Sequence, residues 1–480
     1  MGDQLKKYWI VTLTSIVGMA ILMYSHLYND TMFMWIGTCI IVPAASFLFL
    51  FRFTLLYYLM VFTVPLSVHL SNVGLGVGLS LPGEVLLVFV FIGVVWRMIF
   101  SFNSYQKIIY HPVSMLILAH IIWILASSIF SVLPSVSLKF ALIRIVYVFV
   151  FYVYGSRLFS DRQAIYKVIG VYVLGLLPVV IFSFVNHYQH DMSVVFSNRA
   201  CYPFFNDHTI YAACLVMIIP LMLASLIREQ KKDTTNIWVK YLGVILFILY
   251  ILALWFSYSR AGWLSLIFSL LLALPMIFRL KLKLFLLSSS VVTVAVLSMV
   301  FVMKPSTSTN SKAENVKELV YSVVNTETNT SNAERLNRWQ SAFKMFLDRP
   351  AVGFGPGTYQ FVYGRYQENE TDISVYDSSM GGVHSEYLKP LSEQGLLGLI
   401  FFLAILFYVY YKGYLLVINE HGSSRWLLLA SVTSLVTYYV HGLFNFFLDT
   451  DKSSLLFWSI IAYLVSVDLM KKESGQKVKN

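Results

Sequence analysis

His384 opens the stretch HSEYLKPLSEQGLLGL (residues 384–399), one short helix away from a long apolar run. A neutral imidazole in that position can take a proton from a hydroxyl, which is what a transferase needs of its acceptor. Arginines supply the complementary chemistry, because a guanidinium fork binds two phosphate oxygens at once. Arg199 sits in FSNRACYPFF, just before an apolar run, and Arg260 sits in SYSRAGWL, squeezed between two such runs. Arg335 and Arg338 lie one turn apart in SNAERLNRWQSAFKMFLDRP. Arg144 lies inside the apolar run KFALIRIVYV, where a charge is costly and faces a cavity or an anion. Each residue also has an ordinary explanation: a solvated histidine, a snorkelling arginine or a loop ion pair.

Other chemistries find little support. Asp449-Thr450-Asp451 reads DxD, a pattern by which soluble glycosyltransferases hold a divalent ion and a nucleotide sugar, but here it reads as a polar turn. No His, Cys or carboxylate spacing suggests a metal site, and no Walker loop or dinucleotide fingerprint is present, so no cofactor is expected. Cys39, Cys201 and Cys214 are too few and too scattered for a disulfide framework.

The residues must be positioned by membrane helices. The 480 residues are 58% hydrophobic and 12% charged, with a mean hydropathy of +0.71, which suits a polytopic membrane protein and not a soluble one. At about 20 apolar residues per crossing, candidate spans fall near 8–27, 31–50, 53–71, 81–100, 112–130, 139–158, 164–186, 209–227, 240–258, 262–278, 284–303, 395–416, 425–446 and 453–470. The expected fold is therefore an all-α transmembrane bundle of about 14 spans, within a range of 12 to 14. The first span, after Lys6 and Lys7, reads as an uncleaved anchor.

Orientation follows from the basic residues. With a cytoplasmic N-terminus, most of the 35 Lys and Arg residues fall on inside connections, from Lys6 and Lys7 to the tail lysines Lys471 to Lys479. The net charge of +11 is thereby explained without nucleic acid. Residues 187–208, the turn around Arg260 and the segment 304–394 then lie outside. The expected organisation is a bundle over 1–303, a large extracytoplasmic loop over 304–394, three spans over 395–470 and a basic cytoplasmic tail over 471–480. A loop of ~90 residues exceeds what a connection needs. Its helix carries Leu336, Trp339, Phe343 and Phe346 at helical spacing as an apolar stripe. Pro350 ends that helix, and a glycine turn, GFGPGTY, follows. The pair Gly395 and Gly398 reads as close helix packing at the start of the next span.

These residues together resemble the O-antigen ligase family, which includes polysaccharide polymerases and protein O-oligosaccharyltransferases. The family signature of His-[Asn/Ser/Gln], nine residues and Gly-x-x-Gly is matched by His384-Ser385 and Gly395-Leu-Leu-Gly398. A Ser-Arg-Gly-like turn is matched by Ser259-Arg260-Ala261-Gly262. An Arg-x-x-Trp helix before a glycine turn is matched by Arg335 with Arg338-Trp339 and by Pro350, Gly353 and Gly355. Phe205-Asn206-Asp207-His208 departs from the Pro-Asn pair of many relatives. The resemblance covers roughly residues 195–400. It implies metal-independent, inverting glycan transfer from a polyprenyl-pyrophosphate donor at the outer face of a bacterial inner membrane. The implied acceptor is lipid A core, a glycan or a protein. It further implies catalytic roles for His384 and Arg260, with Arg199, Arg335, Arg338 and Arg144 on the pyrophosphate. A lipid-linked glycan flippase is the rival expectation, though a flippase has no need of so long an outer loop.

Overall fold

The computed structural model describes residues 46, 48–49, 51–70, 79–194, 196–230, 237–301, 330–367 and 381–477. These are helical throughout, apart from turns and one antiparallel hairpin, β1 (Val68–Leu70) paired with β2 (Leu79–Leu81). In chain order the helices are α1 (Phe53–Thr63), α2 (Gly83–Phe100), α3 (Asn103–Ile109), α4 (Pro112–Ile129), α5 (Pro134–Leu158), α6 (Ala164–Tyr188), α7 (His208–Gln230) and α8 (Ile237–Phe256). There follow α9 (Arg260–Ile277), α10 (Leu282–Phe301), α11 (Thr330–Asp348), α12 (Tyr359–Val362), α13 (Leu388–Ile418), α14 (Ser423–His441) and α15 (Asp451–Lys477). Helix is the expected answer for such sequences, because it satisfies every backbone N–H and C=O without water.

Among the described residues nine helices are long and apolar enough to cross a membrane, with shorter apolar helices at Phe53–Leu66 and Leu282–Val294. The runs near 8–27 and 31–50 lie essentially outside the described residues, so the count of fourteen is not reached. The run expected at 53–71 is shorter than read: Pro65 turns it into a single 3₁₀ turn, and β1 follows. The run at 425–446 becomes α14, whose Ser431, Thr433, Ser434 and Thr437 dilute its hydropathy. Those hydroxyls cost nothing here, because α14 is buried by protein on both flanks, against α7 and α9. Ser431 and Thr433 donate to Leu427 and Leu429 carbonyls at 2.8 Å, and Ser434 donates to Met217 of α7 at 2.6 Å. By contrast, Ile92, Trp96 and Ile99 of α2 turn outward, as a lipid-facing stripe does.

Two local features set up the site. Ser259 caps α9 through Gly262 N–H at 3.3 Å, so Arg260 stands at the first helical position beside a tight turn. Helix α11 lies against α13 over a satellite core of Ala342, Met345, Phe354, Tyr359 and Val383. The stripe read from the sequence is rotated: Ser341, Ala342 and Met345 are buried, whereas Phe343 is 51% exposed. The inward face also carries Arg338, whose side chain is largely covered.

Candidate active site

The glycine-rich turn after α11 is wrapped around one acidic residue. The buried Glu393 accepts Gly357 N–H at 2.8 Å and Tyr359 N–H at 3.0 Å on its carboxylate, and Gly355 N–H at 2.8 Å on its main-chain oxygen. Gly353 approaches the Glu393 backbone so closely that a Cβ would collide with it. Gly395 completes the seam. With φ of 70° and ψ of −168° it breaks α13 into a short helix and a long one, and it frees the Leu396 N–H to reach Pro350 O at 2.9 Å. A side chain at Gly395 would meet the Ala351 carbonyl. Gly395 is therefore a backbone break that docks the loop, not the helix-packing residue read from the sequence. The nearest atoms above Gly398 belong to the Gln394 side chain.

On this seam the short first part of α13 holds His384 under α11. The His384 backbone is left-handed, with φ of 51°, and its carbonyl accepts Trp339 Nε1–H at 3.1 Å. Its Nε2 lies 3.3 Å from Arg338 Nη1, which also donates to Gly382 O at 2.8 Å. Its Nδ1 lies 3.2 Å from Asn445 Oδ1, on the turn between α14 and α15. Arginine has no acceptor, so Nε2 carries the lone pair and Nδ1 the proton. Burial, and then the positive charges of Arg338 and Arg335, hold the His384 pKa below its ordinary value, opposed in part by Asn445 and Glu334. The imidazole is thus kept neutral and able to accept a proton. Arg338 is steadied by an ion pair with Glu334, one turn back, and by Tyr359, whose hydroxyl donates to the Arg338 carbonyl at 2.8 Å.

Arg335, on the same helix, is also drawn in. Burial lowers its pKa; Asp207 and Glu334 act to raise it and Arg260 to lower it, which places Arg260 and Asp207 within its electrostatic reach. Asp207 caps α7 through Thr209 N–H at 2.8 Å and meets His208 Nδ1 at 3.3 Å. Burial acts to raise the Asp207 pKa, but these partners outweigh it and hold the carboxyl well below the usual range. The structure thus brings Arg338 against His384 and sets Arg335 within electrostatic reach of both His384 and Arg260.

Two expected residues stand apart. Arg199 is exposed on the 3₁₀ turn Phe196–Arg199 and makes no ion pair among the described residues. Arg144 lies over the Phe140 ring at 5.3 Å, its Nη2 3.4 Å from Asp449 Oδ1. Lys389 forms an ion pair with the other oxygen of Asp449 and stacks over the Phe446 ring at 4.6 Å. Neither Asn445 nor Glu393 has a signal in the sequence, since their partners are 61 and about 36 residues away with no shared periodicity.

This is a multi-pass membrane protein whose polar groups converge where a loop helix meets two spans. Residues 245–403 match the O-antigen ligase family model, the family that the motifs resemble. The matched segment contains Arg260, Arg335, Arg338, His384 and Gly395, and leaves Arg144, Arg199 and Asn445 outside. No curated protein matches the chain.

Proposed function

We propose that the chain is an integral membrane glycosyltransferase of cell-surface polysaccharide biosynthesis, acting on a polyprenyl-pyrophosphate-linked glycan at the outer face of the bacterial inner membrane. The family match supports the class. The observation that carries the mechanism is the neutral His384 beside Arg338, on a helix that brings Arg335 toward Arg260.

The acceptor hydroxyl attacks the anomeric carbon while the bond from that carbon to the pyrophosphate oxygen breaks. The leaving pyrophosphate keeps the electron pair, and the hydroxyl proton passes to His384 Nε2. Arg338 serves both partners. Once its N–H groups turn to phosphate oxygens, the Nε2 lone pair faces the acceptor. Arg335 and Arg260 neutralise the growing negative charge, the work a divalent ion does elsewhere. Attack from the face opposite the pyrophosphate inverts the anomeric centre. Arg199, exposed at the rim, meets the outer part of the donor. Arg144 supports the site from beneath through Asp449. The spans hold the polyprenyl chain, and the acceptor is lipid A core, a growing glycan or a protein.

Surface polysaccharide from cells carrying His384→Ala or Arg260→Ala tests the proposal. It predicts lost transfer with the variant present in the membrane at normal level. Polymer made but unattached identifies a ligase, and single repeat units identify a polymerase. Donor retained on the cytoplasmic side would point instead to a flippase, and unchanged glycan length and attachment would contradict the mechanism.

A further inference from the structure

The turn between α14 and α15 does more than connect two spans. Its residues Gly442 to Phe447 are zipped to His384–Glu386 by three hydrogen bonds. The Glu386 amide donates to Gly442 O at 2.8 Å, and the Glu386 carboxylate accepts Phe447 N–H at 2.7 Å. Between those two anchors, Asn445 Oδ1 reaches His384 Nδ1 at 3.2 Å. Asn445 is 2% exposed, and its Nδ2 is buried with no hydrogen-bond partner among the described residues. Phe446 fills the space beside it, edge-on to the His384 ring at 6.5 Å and so close to Gly382 that a side chain there would strike it. The position of Asn445 is therefore fixed from both sides by bonds that do not involve the histidine.

We infer that Asn445 is a positioning residue for His384, selecting its Nδ1–H tautomer so that Nε2 presents a lone pair to the acceptor hydroxyl. The assignment rests on donor inventory. Arg338 can only donate, so Nε2 must accept and Nδ1–H must find an acceptor, and the Asn445 amide oxygen is that acceptor. A neutral amide suits the purpose better than a carboxylate. Aspartate here would favour the imidazolium and so use up the lone pair at neutral pH, whereas asparagine orients the ring without adding charge. Among the described residues, the charged groups that face His384 are Arg338, Arg335 and Glu334, all from α11. None comes from the turn, so the amide leaves the balance of charge with the arginines.

This inference rests on His384 being the base, and the test separates the two. Transfer is measured against pH in native membranes for wild type, His384→Ala, Asn445→Ala, Asn445→Asp and Glu386→Gln. Asn445→Ala is expected to lower the turnover rate roughly 10- to 100-fold, part of the 10²–10⁴ that a positioned base supplies, with acceptor KM little changed. Asn445→Asp is expected to move the acid limb of the profile to higher pH while keeping activity at alkaline pH, which a merely structural defect cannot do. Glu386→Gln reports on the turn itself: it keeps the hydrogen-bond acceptor and is expected to leave the acid limb where it is in wild type. If His384→Ala retains transfer, the base assignment fails first. If His384→Ala is inactive but Asn445→Asp leaves the acid limb unmoved, or Asn445→Ala works at the wild-type rate, the positioning role of Asn445 is overturned.

Discussion

Two groups of buried charge lie on either side of the Phe446 ring, and they are built differently. Beneath it, Arg144 and Lys389 share one carboxylate, Asp449, and each cation is only 11% exposed. Above it, Arg338 and Arg335 act on His384, Arg260 comes within electrostatic reach of Arg335, and Glu334 and Asp207 are nearby carboxylates among the described residues. The lower group is built of ion pairs: two cations meet one carboxylate and tie α5, α13 and the α14–α15 turn together. The upper group sets Arg338 and Arg335 beside a neutral base. Burial of an arginine is thus no sign of a site by itself, since ion pairs that only support structure perturb charge too. What marks the upper group is arginine set beside a group that can take a proton.

Mutations should separate the two groups. His384→Ala is expected to cut transfer by 10²–10⁴ with no loss of thermal stability in detergent, measured on the same preparation. Asp449→Ala should do the reverse, leaving Arg144 and Lys389 buried without their anion at a cost of about 3–5 kcal/mol, seen as a lower melting temperature or poor membrane yield. Arg338→Ala should cost about 3 kcal/mol of transition-state stabilisation, read as a fall in kcat/KM, and Arg338→Lys should recover only part of it because the fork is lost. Gly395→Ala should destabilise by about 1–3 kcal/mol from a backbone conformation open almost only to glycine, with more from the Ala351 carbonyl, and should loosen the loop. The smallest effect concerns pH. Because burial and the arginines depress the His384 pKa, the base stays neutral to a lower pH than a free histidine, and activity should fall only below about 6.5. Arg335→Gln removes one of those charges, so its acid limb should move up toward the ordinary value.

Much of this was legible in the sequence. Apolar run length locates the helices: runs read at 112–130, 164–186 and 209–227 correspond to Pro112–Ile129, Ala164–Tyr188 and His208–Gln230. The Arg338-Trp339 pair and His384 stood out by type and motif, and both touch in the structure. The loop-helix stripe was misjudged because aromatic size suggested burial, whereas the face that packs is made of small residues and Met345. Gly395 was visible as a glycine, but not its positive φ, which depends on the Pro350–Ala351 backbone arriving from the loop. Asn445 and Glu393 are silent for the same reason: each matters through one bond to a residue brought near only by the assembled bundle. Local patterns reveal elements, and long-range hydrogen bonds reveal what the elements hold.

The most direct test of the account is transfer by the purified protein in liposomes, with its own lipid-linked donor and acceptor and a chelator present throughout. Wild type should transfer glycan at an undiminished rate in the chelator, and His384→Ala, equally folded, should fall at least 100-fold. Transfer by His384→Ala within a few-fold of wild type, or its abolition in wild type by the chelator, would contradict a metal-independent reaction with His384 as its base.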